Sequence, residues 1–286
     1  MIKLLLYLLK LILKITPLWL VQVFGIIIGK LFHFFNKKSR LLLIKNIDSS
    51  GLFLKKDLRA AIRMNINETG KTIAESFFIW ANSEKKILGL IKKVHGVELI
   101  KKAQKEKKGI IFLTPHMGCY EIAPVYYGSL YPITLLYRPS RKRWVDEFMF
   151  FGRQKGFVKL APTNNAGVRG ILKALNKGEA VGILPDQAAN KGEGLWVPFF
   201  NRPAYTMVLV SRLVMRTGAP VIIAYVERLS LNKGFEIHLK YIEPHKIKGP
   251  LELNQLLEEQ IKNNPTQYLW NYDKHKGYES QLNKNT

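Results

Sequence analysis

The chain of 286 residues is 47% hydrophobic and 23% charged, enough apolar material for a substantial core, which excludes a globally disordered protein. Its 45 basic against 21 acidic residues leave a net charge of +24, which implies an anionic partner such as a membrane surface, a nucleic acid or an acidic protein. Lysine supplies 33 of the 45 basic residues, so part of that excess reflects composition rather than a binding face. Cys119 is the sole cysteine, which excludes an intrachain disulfide framework and a thiolate-rich zinc site.

Residues 1–15 are almost wholly Leu, Ile and Tyr, interrupted by Lys3, Lys10 and Lys14. On a helix these lysines fall on one narrow stripe of an apolar cylinder, where their stems can lie along lipid and their ammonium groups can reach phosphate. Pro17 breaks this helix. A second apolar stretch, 18–35, has only Gln22, Lys30 and His33 as polar members and is marginal in length for crossing a bilayer. No small-residue cleavage site follows the first run, which disfavours a cleaved signal peptide against a retained anchor. A buried helix of a soluble protein is the competing reading. As an anchor, 1–35 is either a single span or a helical hairpin in the interface. Lys37, Lys38, Arg40 and Lys45 follow at once and place the body on the cytoplasmic side.

Residues 52–95 read as helical, with apolar residues at helical spacing and no strand-like run. From residue 96 the pattern changes. Short apolar runs at 109–114, 133–137, 180–184, 220–226 and 235–241 read as strands, alternating with helices near 144–156, 166–177, 204–217 and 251–263. This is an α/β pattern, a mixed and largely parallel sheet flanked by helices, in one domain over 36–270 with 52–95 as its helical lead-in. Residues 271–286 are polar and are expected to fray.

Reactive groups in open α/β sheets gather beyond the carboxyl ends of strands. The run 109–114 leads directly into Thr114-Pro-His-Met-Gly-Cys-Tyr-Glu121, which places His116 and Glu121 there. Five residues apart on a regular helix they would diverge by about 140°. Pro115 and Gly118 permit a turn that brings the carboxylate to the imidazole, fixing its tautomer and leaving the other nitrogen as a base. The bland alternative is a solvated turn histidine beside a glutamate that suits a helix start. Asp186, in Leu184-Pro-Asp-Gln187, follows another strand end and joins the same pocket or caps a turn.

The spacing His116-x4-Glu121 after a buried strand resembles the His-x4-Asp/Glu motif of glycerolipid and lipid A acyltransferases. Further pieces stand in order: Tyr137-Arg-Pro139, Gly152-Arg153, Gly178-Glu-Ala-Val-Gly-Ile-Leu-Pro-Asp-Gln187, Val197-Pro-Phe-Phe200, Arg216-Thr-Gly-Ala-Pro220 and Gln267-Tyr-Leu-Trp270. With them, nearly the whole chain is similar to the bacterial lipid A biosynthesis acyltransferases that add lauroyl or myristoyl groups. The resemblance implies an inner-membrane enzyme facing the cytoplasm. Its donor would be an acyl chain on acyl carrier protein, or acyl-CoA, and it would need no cofactor and no metal. Its acceptor would be a hydroxyl of a phosphorylated glycolipid, a lipid A precursor. His116 would be the general base and Glu121 its orienting acid. Arg153 would hold a phosphate or the developing oxyanion, and the basic run Arg138, Arg141, Lys142 and Arg143 would meet the headgroup or the acidic carrier.

Other features read as structural. Cys119 is expected to be packing, and the lysines of 101–108 a solvated helix face. His33, His95, His238, His245 and His275 are scattered with no metal-ligand spacing. Serine-hydrolase and zincin signatures are missing from the sequence. Two other classes compete with the acyltransferase: a non-catalytic basic membrane-binding protein, which leaves the ordered strand-end residues unexplained, and a nucleic-acid binder, which lacks a recognisable module.

Overall fold

A computed structural model describes residues 2–278. The side chain of Lys3 and the tail beyond residue 278 lie outside the described residues. Nine strands are present among those described: β1 (Ile91–His95), β2 (Ile110–Leu113), β3 (Ile133–Tyr137), β4 (Val158–Pro162), β5 (Ala180–Ile183), β6 (Gly194–Phe199), β7 (Arg202–Met207), β8 (Val221–Arg228) and β9 (Phe235–Ile242). Seven form one sheet in the order β1-β9-β8-β2-β5-β3-β4. The strands β8, β2, β5, β3 and β4 run parallel, while β9 pairs antiparallel with β8 and carries β1 parallel to itself at the edge. The α/β reading is therefore correct, with helices on the sheet as expected from alternating runs.

Two expectations need correction. The segment 91–95 is a strand, not the end of a helical lead-in; Ile-Lys-Lys-Val-His is half-exposed and sits at the sheet edge, so it lacks the continuous apolar run of a central strand. The stretch 204–217 is helical only over Leu209–Thr217, and its first residues belong to the separate hairpin β6–β7. Phe200 and Asn201, both at positive φ, make the two-residue turn between Phe199 and Arg202.

The helices Ile2–Ile15 and Leu18–Phe35 are broken at Pro17, as the sequence implies. Leu18–Phe35 lies along the helix Leu58–Ala81. Three glycines permit this approach: a Cβ on Gly70 would fall 3.0 Å from the Cα of Gly29 and collide with the carbonyl of Gly25. Its inward face carries Gln22, Gly25, Gly29 and His33 beside Leu18 and Val21, whereas Trp19, Phe24, Ile28, Leu31 and Phe35 face out with Lys30. Of the described helices, Leu18–Phe35 alone has the length and apolarity to cross a membrane, with a mean hydropathy of 1.8.

A buried charge network ties these helices to the sheet. Arg228, at the end of β8, donates from Nε and Nη2 to Glu75 at 2.6–2.9 Å and from Nη1 to Glu68 at 2.6 Å. Its Nη2 also reaches Thr72 Oγ1 and the carbonyl of Gly118. Gln22 donates to the same Glu75 at 2.8 Å and accepts from the backbone of Asn232 at 3.0 Å. Burial opposes the charge on Arg228, but the two glutamates outweigh it and hold its pKa above the ordinary value.

Gly70→Val should therefore push the helix Leu18–Phe35 off its neighbour, at a cost of about 1–3 kcal/mol for an overpacked contact. The expected readout is a lowered thermal midpoint of the detergent-solubilised protein, against an unchanged midpoint for a valine at exposed Gly170, where a side chain meets open space.

Candidate active site

Strands β2 and β5 are parallel neighbours in register, with Leu113 opposite Ile183. Counting three residues on from each gives His116 and Asp186, so the register itself delivers the two groups side by side at the carboxyl edge. Asp186 Oδ1 lies 2.8 Å from His116 Nδ1, and Oδ2 accepts the backbone N–H of His116 at 2.9 Å. Both side chains are largely shielded, with 14% of His116 and 3% of Asp186 exposed.

The loop that carries His116 is held at several points. Thr114 N–H donates to Ile183, Gly118 N–H to Gln267, Cys119 N–H to Val226, and the carbonyl of His116 accepts from Leu269. Gly118 is at φ 59°, and any Cβ there would collide with the carbonyl of Val226. Gln267 in turn grips the backbone of Arg228 through both ends of its amide, at 2.8 and 2.9 Å. The ring of Tyr120 packs edge-on to His116 at 4.9 Å between centroids.

This arrangement corrects the expected partner of His116. Glu121 does not reach the imidazole. It stands at the start of the helix Ile122–Gly128, 3% exposed, and accepts Nε of Arg153 at 2.9 Å and Nη2 in a second, shorter bond. The helical turn carries its carboxylate away from His116, and Arg153, at the end of the helix Arg143–Arg153, meets it instead. Asp186 thus holds the position that spacing suggested for Glu121. Its role was not specified by sequence, because only the pairing of β2 with β5 reveals it.

Burial raises the Asp186 carboxyl, but the charge and hydrogen bonds of His116 outweigh it, so the group sits below its ordinary value of 3.8. Two groups behind it had no role assigned from the sequence, although Tyr268 belongs to the piece Gln267-Tyr-Leu-Trp270. Burial, followed by the charge of Asp186, holds the Tyr268 phenol well above its normal range. Lys274 is 2% exposed, donates to Asn254 Oδ1 at 2.9 Å and lies over the ring of Phe199. Burial pulls its amine down to about 8 even though Asp186 favours the charge. Residues 271–278 therefore do not fray; Tyr272 also accepts the N–H of Ala188 at 3.1 Å. The signal for Lys274 was weak, since an isolated lysine in a polar tail looks like any other.

His116 opens onto a cleft of ≈ 470 Å³, within the range of small-molecule sites. Leu136, Met149, Leu184 and Leu209 give it apolar walls, and Arg153, Gln187 and Arg212 supply polar groups. Arg138 stands exposed at its rim, bonded to Asn190. A second crevice runs from Tyr120, Glu121 and Arg153 beneath the sheet past Phe112, Gly182 and Ala224. Its open volume is ≈ 40 Å³ against the cleft's ≈ 470 Å³. Cys119 is buried, and burial with the nearby Glu75 charge keeps its thiol protonated, which agrees with packing.

A mixed sheet thus presents an acid-steadied histidine to a cleft with apolar walls and arginine side chains. A sequence model of the bacterial lipid A biosynthesis acyltransferases matches residues 1–276, and the chain belongs to that family. It is an acyltransferase. It is 26% identical over 220 residues to the lipid A biosynthesis palmitoleoyltransferase of Escherichia coli (strain K12), covering 73% of this chain and 69% of that one. To the lipid A biosynthesis lauroyltransferase of the same strain it is 23% identical over 253 residues, 85% and 81% of the two chains. A Shigella flexneri lipid A biosynthesis acyltransferase matches at 26% over 220 residues, 73% and 69% of the two chains.

A carboxyl depressed in the folded state adds stability that is complete above its unfolded pKa, about 3.9, and is lost as pH falls through the lower folded value. Thermal midpoints taken downward from about pH 6 should therefore fall more steeply below about pH 4 in the native protein than in Asp186→Asn. Parallel curves would show that Asp186 is not held as a charged acceptor.

Proposed function

We propose that this protein transfers a fatty acyl chain from the thioester of an acyl carrier protein to a hydroxyl of a phosphorylated lipid A precursor, with His116 as general base. The observation that carries this reading is the double hold of Asp186 on His116 at the floor of the cleft. An Nδ1–H facing a buried carboxylate leaves Nε2 with a lone pair, which the Gln187 amide contacts at 3.4 Å and which an acceptor hydroxyl would take over. The acceptor oxygen bonds to the thioester carbonyl carbon as its proton passes to Nε2. The C–S bond then breaks, and the imidazolium returns the proton to the departing thiolate. Asp186 balances the imidazolium while it exists, as triad carboxylates do. The thioester is already activated, so no acyl-enzyme is needed.

Glu121 enters as a positioning residue. Its carboxylate aligns Arg153, and burial without that partner would work against the guanidinium's charge. Arg153 supplies positive charge at the cleft wall for the oxyanion or a phosphate, and Arg138 and Arg212 at the mouth suit the phosphorylated headgroup or the acidic carrier.

The seat on a membrane rests on the outward-facing apolar sides of the helices Ile2–Ile15 and Leu18–Phe35. A soluble core helix would bury those residues and expose Gln22 and His33. Because Leu18–Phe35 is packed along its length against the body, we place it in the interface of the inner membrane's cytoplasmic leaflet rather than as a free span. The exposed lysines at 10 and 14 and the basic run from Lys37 to Lys45 face anionic headgroups there. The first helix also touches Arg143–Arg153, whose Met149 and Arg153 line the cleft, so the seat adjoins the substrate's entrance.

Transfer from acyl carrier protein to a purified precursor, followed by mass spectrometry of the product, tests the reading. His116→Ala should lower kcat by roughly 10²–10⁴-fold without releasing the protein from vesicles. Asp186→Asn should lower kcat and distort its pH profile, whereas Glu121→Gln should act through Arg153 and leave the profile's shape intact. Full activity in His116→Ala would end the assignment.

A further inference from the structure

Outside the cleft, one cluster of ligating side chains has no place in acyl transfer. The parallel pairing of β1 with β9 sets His95 opposite His238, and the antiparallel pairing of β9 with β8 sets Glu236 opposite Glu227. All four side chains emerge on the same face of three adjacent strands. The two imidazole rings stack at 4.5 Å between centroids with 4° between their planes. His95 Nε2 lies 2.7 Å from Glu236 Oε2, and His238 Nε2 lies 2.9 Å from Glu227 Oε2. One ligand atom from each of His95, Glu236 and His238 falls within 4.8 Å of the others. Each is between a quarter and two-fifths exposed, so solvent reaches the group without stripping it of support.

We propose that His95, Glu236 and His238, with Glu227 beside them, bind a divalent transition-metal cation of the zinc class. Two neutral imidazoles and a carboxylate are the donor set that zinc accepts, and a second carboxylate or water completes a tetrahedron. Each short N–H···O contact is one in which a metal ion can replace the proton; His95 Nε2 faces Glu236 and His238 Nε2 faces Glu227, so the two stacked rings pivot toward each other to share one ion. The ring of Tyr225 stacks on His238 at 5.7 Å and steadies its orientation. The Asn264 amide donates to the outer oxygen of Glu227. Lys93, opposite Glu236 in the register, is the nearby cation that opposes binding, and the two carboxylates outnumber it. A bound ion would clip β1, which pairs only with β9, onto the sheet. The site is structural, and none of its four side chains lines the cleft of His116, so it does not depend on the acyltransferase mechanism.

The test uses the full chain, untagged and in detergent, stripped with a chelator and titrated with zinc chloride in equilibrium dialysis. The expected result is one zinc per chain and a thermal midpoint raised by about 3 °C or more. His95→Ala/His238→Ala and the isosteric Glu236→Gln should each weaken binding by at least about tenfold. All three proteins should share one midpoint in EDTA, which reports that the variants fold. Cobalt(II) should give the intense visible absorption of a tetrahedral site in the native protein alone. Substoichiometric zinc in the native chain, or equal binding in the folded Glu236→Gln protein, would overturn the proposal and leave the cluster as two cross-strand ion pairs.

Discussion

The grip of one carboxylate on one histidine, at both its backbone and its ring, is the contact on which the rest of the structure turns. Asp186 spends neither oxygen on solvent; each is committed to His116. That commitment fixes the loop as well as the ring, so the imidazole cannot rotate without breaking a backbone hydrogen bond too. It follows directly from parallel pairing, because two strands of equal length in register must end side by side. The sheet's geometry, rather than the local sequence of the loop, makes the pair.

A second buried ionic centre supports the first from behind. Arg228 with Glu75 and Glu68 is costly to bury, and such groups are tolerated only when every donor and acceptor is met. Here the guanidinium bonds the helix Leu58–Ala81 and the carbonyl of Gly118 at once, so it joins the His116 loop to the helix on which the apolar N-terminal helix lies. The same Glu75 accepts from Gln22 of that outer helix. One network thus runs from the apolar surface of the molecule to within two residues of His116, and it gives the surface a fixed orientation relative to the cleft.

Much of this was legible in the residues. Continuous apolar runs such as Ile-Ile-Phe-Leu and Ile-Thr-Leu-Leu-Tyr mark strands buried on both faces, and 133–137 matches β3 residue for residue. Strands with other patterns escaped. The edge strand β1 alternates too weakly, β4 ends in proline, and β6 and β7 carry Pro198 and Pro203, which argue against strand wherever a central one is assumed. The site shows the same division. His116 was evident from its place after a strand, yet its acid was assigned to Glu121 because spacing within a motif is local, whereas Asp186 arrives through a pairing 70 residues away. Lys274, and the nearness of Tyr268 to Asp186, were hidden for the same reason. So were His95 and His238, which looked scattered until β1 was seen to lie on β9.

The most direct measurement is a structure of the protein holding a non-transferable analogue of an acyl carrier thioester. The analogue's carbonyl carbon should lie in the cleft, close enough that an acceptor oxygen at roughly 3–3.5 Å from it also hydrogen-bonds His116 Nε2, with Asp186 still on Nδ1. An analogue whose carbonyl lies away from the imidazole, or a histidine that abandons Asp186 for Glu121 when the analogue binds, would contradict the general-base role of His116.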